Sequence, residues 1–244
     1  MTVDLLAGTA TIHESDARWS GFEQLTGWSI MGLAFSSGEI LGLRVFPYSD
    51  FAPYRSIWHR DADGAWSVYV DGPSLEVGCP RWWGPALESA ALASITVDWM
   101  GPSELRVSMA EPALDWRITF AERPMEYLMN HASAPMPTWT WRPRALRAPR
   151  EWMARWALGM GRVRLDGVAP AGMPIVMMPR KIYGIAAARA VMARKDLGAA
   201  IAAPTEPRVG DFALPIRGVL AIGDFRARIR DQAEYLNLRA QFSV

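Results

Sequence analysis

From Ile95 to Phe120, apolar and polar residues alternate with a period of two, interrupted only by short clusters that carry Gly or Pro. Ile95, Val97 and Trp99 alternate with Thr96 and Asp98; Leu105, Val107 and Met109 with Arg106 and Ser108; Leu114, Trp116, Ile118 and Phe120 with Asp115, Arg117 and Thr119. Successive side chains of a strand point to opposite faces, whereas a helix would need a period near 3.6. Gly101-Pro102-Ser103 and Glu111-Pro112 fall where turns are required. The pattern predicts an antiparallel meander with one face on a core and the other in water.

Upstream, residues 29–35, 40–46, 54–60 and 65–70 read as four more strands, joined by turn clusters at 36–39 and 61–64. So many hairpin-length connections predict a barrel or sandwich and argue against a βαβ fold. The pattern then changes. Pro135, Pro137, Pro143 and Pro149 mark residues 134–150 as an irregular crossing, and residues 151–159 predict a helix stopped by Gly159 and Gly161. Strand character returns at 162–166, 173–178, 182–191, 219–222 and 225–229. We therefore expect a mainly β chain. It would be a single domain over residues 1–244, an antiparallel lipocalin-like barrel or sandwich with a helical insertion near residues 135–160.

Composition narrows the class. Half of the 244 residues are apolar and 21% are charged, so the chain can bury a core and is not of the disordered type. The single cysteine, Cys79, rules out an internal disulfide and fits a reducing compartment. No apolar run is long enough to span a bilayer, and the first ten residues lack the basic start of a secretory signal, which points to the cytoplasm. The net charge of +1 hides a division. Residues 1–125 carry 8 Arg against 16 acids, and residues 126–244 carry 18 basic residues against 9 acids. Such halves would attract each other or form two oppositely charged faces.

Four groups carry candidate chemistry. In Trp58-His59-Arg60-Asp61, a histidine beside a carboxylate at a strand end suits a general acid or base, with Asp61 orienting His59; a plain hairpin turn is the alternative. Cys79-Pro80-Arg81-Trp82-Trp83-Gly84 concentrates large side chains in a loop, either to grip a ligand through Arg81, Trp82 and Trp83 or to plug one end of the barrel. Asp211 and Arg217 bracket a short loop, as an ion pair or as a site entrance. Between Trp139 and Arg164, seven arginines interleave with Trp139, Trp141, Trp152 and Trp156, a mixture that suits peripheral contact with an anionic membrane or a helix packed on the barrel. His13, His59 and His131 are too scattered for a metal site, and neither G-x-G-x-x-G nor a P-loop occurs. No metal, cofactor or nucleic acid is expected.

The meander, the His59–Trp66 hairpin, the loop from Cys79 to Gly84 and the return to strands after a helical insert together resemble lipocalin-like bacterial proteins around hydroxyneurosporene synthase and related carotenoid hydratases. The resemblance covers roughly residues 28–230, and this chain is shorter than the two-barrel members. It implies a barrel that binds, or acts without a cofactor on, an apolar isoprenoid-like molecule, with His59 and Asp61 near the cavity. The ligand would lie in the barrel interior against Trp58, Cys79, Arg81, Trp82, Trp83, Asp211 and Arg217. The resemblance leaves open three readings: a cofactor-independent hydratase, isomerase or cyclase; a carrier without chemistry; and an interaction domain without a cavity.

Overall fold

The structure is a computed structural model and describes residues 4–15, 18–133 and 135–242. The main strands are β1 (Phe22–Phe35), β2 (Ile40–Ser49), β3 (Tyr54–Arg60), β4 (Trp66–Asp71), β5 (Ser89–Leu92), β6 (Ile95–Gly101), β7 (Glu104–Met109) and β8 (Leu114–Ala121), followed by β9 (Asp166–Val168) and β10 (Pro174–Met192). Short pieces β11 (Lys195–Asp196), β12 (Ala200–Ile201), β13 (Arg208–Val209) and β14 (Phe212–Ala213) precede β15 (Val219–Arg228). Five helices punctuate them: α1 (Leu5–Ala10), α2 (Pro80–Trp83), α3 (Pro124–Ser133), α4 (Arg144–Trp156) and α5 (Gln232–Phe242).

Ten strands of one large sheet follow the order β5-β4-β3-β2-β1-β15-β10-β8-β7-β6, with the short β9 and β11 paired to β10 and β12 to β1. Every neighbouring pair in that order is antiparallel except β4 with β5, which is parallel. The sheet curls strongly. Trp28 of β1 and Trp99 of β6 meet at 5.9 Å between ring centroids although four strands separate them in the sheet. Trp99 in turn packs on Phe120. At the lip of the curl, Arg55 of β3 donates to the Ile95 carbonyl at 2.9 Å and the Ile95 N–H donates to Asp71 at 3.3 Å. Side chains make this junction, and among the described residues no backbone ladder joins β6 to β3 or β4. The result is a half-barrel.

The concave side is occupied by the chain's own side chains. Trp116, Leu43, Ile57, Val107 and Leu220 are fully or almost fully buried there, with Phe35, Leu105 and Ile118. Burying each such group contributes roughly 2 kcal/mol. The ligand space expected in the barrel interior is therefore not the space inside the curl.

Several elements differ from their sequence cues for identifiable reasons. The apolar runs at 173–178 and 182–191 merge into β10, because Pro179 falls at a bulge against β15 and does not end the strand. The runs at 219–222 and 225–229 likewise merge into β15. The helix expected at 151–159 begins at Arg144 and runs through Pro149, whose ring removes the hydrogen bond to the Ala145 carbonyl inside the helix. The segment 162–166 forms no strand beyond the short β9. α3 was signalled by Pro124 at its first position and by the apolar spacing of residues 125–132.

Two glycines pinch the sheet. Gly27 of β1 and Gly223 of β15 are register partners. A Cβ at Gly27 would lie 2.0 Å from the Val45 carbonyl oxygen, and one at Gly223 would lie 2.1 Å from that of Met178. Both sit beside bulges, so neighbouring strands press onto bare backbone at this point.

Candidate ligand-binding cleft

On the convex side, the sheet around β2, β1, β15 and β10 is not fully covered by its own side chains. The Gly27–Gly223 pair and Ala221 leave a shallow floor, over which α3 and α4 form the walls. Met125, Leu128, Met129 and Ala132 of α3 face the space at positions i, i+3, i+4 and i+7, and Arg150, Met153, Ala154 and Ala157 of α4 repeat that spacing. The cleft has a volume of about 350 Å³, within the usual range for small-molecule sites. Eight of the 13 methionines line it: Met31, Met125, Met129, Met136, Met153, Met160, Met177 and Met178. Methionine is flexible and polarizable, and a wall of it adapts to irregular apolar guests.

Specific polar contacts fix the walls. β10 is a free edge between its pairing with β9, which ends at Val176, and with β8, which begins at Gly184. α3 satisfies that edge with side chains. Asn130 donates to the Ile182 carbonyl at 2.9 Å and accepts from the Ile182 N–H at 2.8 Å. Glu126 accepts from the Gly184 N–H at 3.1 Å, and Ser133 donates to the Arg180 carbonyl at 2.6 Å. α4 is tied down by its own arginines. Arg147 donates to the Arg142 carbonyl and to Asp166, each at 2.6 Å, and Glu151 accepts from the Leu165 N–H at 2.8 Å. Among the described residues, the carboxylate partners of Arg144 and Arg147 are the nearby Glu151 and Asp166, and none lies in the acidic N-terminal half. Trp139, Trp152 and Trp156 remain 61–63% exposed on the outer side, so α4 does not pack its tryptophan face on the sheet.

The charged lining is mostly basic: Arg44, Arg150, Arg180 and Lys181 against Asp224. Asp224 is engaged, accepting from Thr26 at 2.6 Å and from Arg180 at 3.0 Å. Arg150 lies over Trp141 at 4.0 Å and donates to Thr140. Arg44 has a different setting. Its guanidinium lies 4.3 Å from the Trp58 ring and 5.4 Å from Trp83, and its one hydrogen bond among the described residues goes to Cys79 Sγ at 3.4 Å.

The residues singled out from sequence separate into two groups. Trp58, Cys79, Arg81, Trp82 and Trp83 come together on the convex side, in a second core behind the cleft. Trp58 and Trp83 meet edge to face at 5.9 Å, and Trp82 packs on Phe225 at 5.2 Å. Cys79 Sγ is fully buried beside Tyr54 and Ser56, and Arg81 pairs with buried Glu23. The cluster is buried on the outer face of the sheet, and it touches the cleft through Arg44. His59 and Asp61 lie elsewhere. His59 faces Glu39 at 2.8 Å, and Glu39 also holds Lys195 at 2.6 Å. Burial pushes the Glu39 carboxyl up, but its hydrogen bonds from Lys195 and His59 hold it below its ordinary value. Asp61 accepts from the Ala65 N–H at 2.8 Å, a turn bond that lowers its pKa. Neither residue lines the cleft.

Asp211 and Arg217 are both exposed and no ion pair joins them. Arg217 lines a second groove of about 670 Å³, formed largely by the Ala- and Gly-rich stretches of β10 and the 198–202 segment, which meets the cleft at Leu158, Met160, Ile182 and Val219. The signals that sequence reading missed were the i, i+3, i+4, i+7 apolar spacing of 125–132 and the lone basic residue of β2. Among the described residues no group of three or more His, Cys, Asp or Glu side chains gathers as a metal site would, and no helix is long and apolar enough to cross a membrane. No protein-family model, curated protein or solved structure matches the chain.

Proposed function

We propose that this protein binds an apolar small molecule of elongated shape in the methionine-lined cleft between the convex face of its sheet and helices α3 and α4. The observation that carries the reading is the cleft itself: two helices present their apolar spacing to a glycine- and alanine-floored patch, and side-chain hydrogen bonds hold them apart from it. Binding is favoured over hydratase, isomerase or cyclase chemistry at His59, because the carboxylate lining the cleft is tied to Arg180 and Thr26 and His59 is committed to Glu39. An isoprenoid-like chain, as the sequence resemblance implied, is one guest of suitable shape.

A peripheral membrane contact accompanies this reading. Trp139, Trp152, Trp156 and Leu146 are exposed on the outer side of the same helical layer, next to the exposed Arg142, Arg155, Arg162 and Arg164. Such a surface suits the headgroup region of an anionic bilayer.

The test is titration of the purified protein with Nile red, a neutral apolar dye whose emission rises in apolar surroundings. Ala221→Phe fills the floor of the cleft and should weaken binding at least tenfold while leaving thermal unfolding near the wild-type value. His59→Ala should leave binding unchanged. Wild-type affinity in Ala221→Phe, or loss of binding in His59→Ala, refutes the site.

A further inference from the structure

We infer that the guest carries a carboxylate and that Arg44 binds it; this inference rests on the cleft being the binding site. Two other arginines drawn into the protein have carboxylate partners. Arg81, with 13% of its side chain exposed, pairs with Glu23, and Arg147, 7% exposed, pairs with Asp166 at 2.6 Å. Arg44 is part-buried against Trp58 and Trp83 and has no ion pair among the described residues. Its acceptor is a thiol sulfur, a weak one, and a guanidinium offers five N–H donors. A charge removed from water without a partner is costly, which makes such a position a receptor for the opposite charge.

The geometry favours a planar anion. Trp58 lies against the guanidinium at 4.3 Å and Trp83 at 5.4 Å, and these rings limit its freedom. An arginine held against aromatic rings presents its in-plane fork, and that fork matches the two oxygens of a carboxylate. Arg44 stands on β2 beside Phe46, where both side chains line the cleft floor. The remaining wall is methionine and alanine, so an anionic group at Arg44 leaves apolar surface for the rest of the molecule. The ligand class that satisfies both parts is a single-chain amphiphile ending in a carboxylate, with its head inward at Arg44 and its tail between α3 and α4. Arg217, in the neighbouring groove, is exposed to water and needs no such partner.

Displacement of Nile red by dodecanoic acid, dodecanol and methyl dodecanoate tests this on the full chain. The wild type should bind the acid at least tenfold more tightly than the alcohol or the ester. Arg44→Met should remove that preference while retaining the alcohol, and Arg217→Gln should keep it. Equal affinities for acid and alcohol in the wild type overturn the inference, as does a preference that survives Arg44→Met or vanishes in Arg217→Gln. If Arg44→Met does not fold, Arg44→Lys keeps the charge without the fork and should reduce the preference severalfold; an unchanged preference there also overturns it. Failure of all three compounds to displace the dye from the wild type overturns the cleft reading instead, so the two failures are distinct.

Discussion

Asn130→Ala tests the device that holds the cleft open. Asn130 is 5% exposed and its amide bridges α3 to the free edge of β10, donating to the Ile182 carbonyl and accepting from the Ile182 N–H while also donating to Glu122 at 2.9 Å. Alanine removes all of these bonds. Each lost protein hydrogen bond costs about 1 kcal/mol, and each backbone group left without a partner costs about 1–3 kcal/mol when buried. Ile182 is half-buried, so water reaches part of the gap and the lower end of that range applies. Counting the two Ile182 backbone groups and the bond to Glu122 at about 1 kcal/mol each, the sum is about 3 kcal/mol of global stability, read as a lower urea midpoint at unchanged m. Asn130→Asp keeps the acceptor for the Ile182 N–H but loses the donors and sets a second carboxylate against Glu122; at pH 7 it should be at least as destabilising as alanine. Amide exchange at Ile182 should accelerate in both variants, and Nile red affinity should fall because α3 is a wall of the cleft. A destabilisation below about 0.5 kcal/mol in Asn130→Ala, with unaltered exchange at Ile182, would refute the bridging role.

Glu23 provides a pH test. Burial pushes its carboxyl from the ordinary 4.5 up to about 7, against the pull of Arg81. The unfolded chain releases this proton near pH 4.5 and the folded chain only near 7, so stability from this group is fully present below 4.5 and is lost as pH rises to 7, by roughly 3 kcal/mol. Glu23→Gln should become more stable relative to wild type across that window in urea titrations; a difference independent of pH would refute the shift. The exposed tryptophans give another test: Trp152→Ser with Trp156→Ser should reduce co-sedimentation with phosphatidylserine-containing vesicles severalfold without altering thermal unfolding. Equal sedimentation of variant and wild type would remove the membrane contact.

How much was legible in the sequence follows from the range of the forces involved. The period-two pattern of 95–120 reports which face of each strand meets the core, and β6, β7 and β8 appear there with the expected alternation of buried and exposed residues. The turn clusters at 36–39 and 61–64 likewise sit between β1 and β2 and between β3 and β4. The loop at Cys79 was legible as a dense aromatic cluster, since Trp82 and Trp83 have few ways to be buried except together. These are properties that a residue shares with its near neighbours along the chain.

The sequence by itself thus determined that the chain is mainly β and where most strands lie. Tertiary structure alone decided that the sheet curls far enough to bring Trp28 onto Trp99, which fills the concave side and removes the interior hollow. It also decided that Gly27 meets Gly223, that α3 lies along the edge of β10, and that Arg44 shares a cleft with methionines spread from Met31 to Met178. Alternation along a strand specifies a face but not what that face will meet. Curvature, bulges and edge pairing specify the meeting, and they arise only when segments distant in sequence compete for the same backbone hydrogen bonds and the same apolar surface.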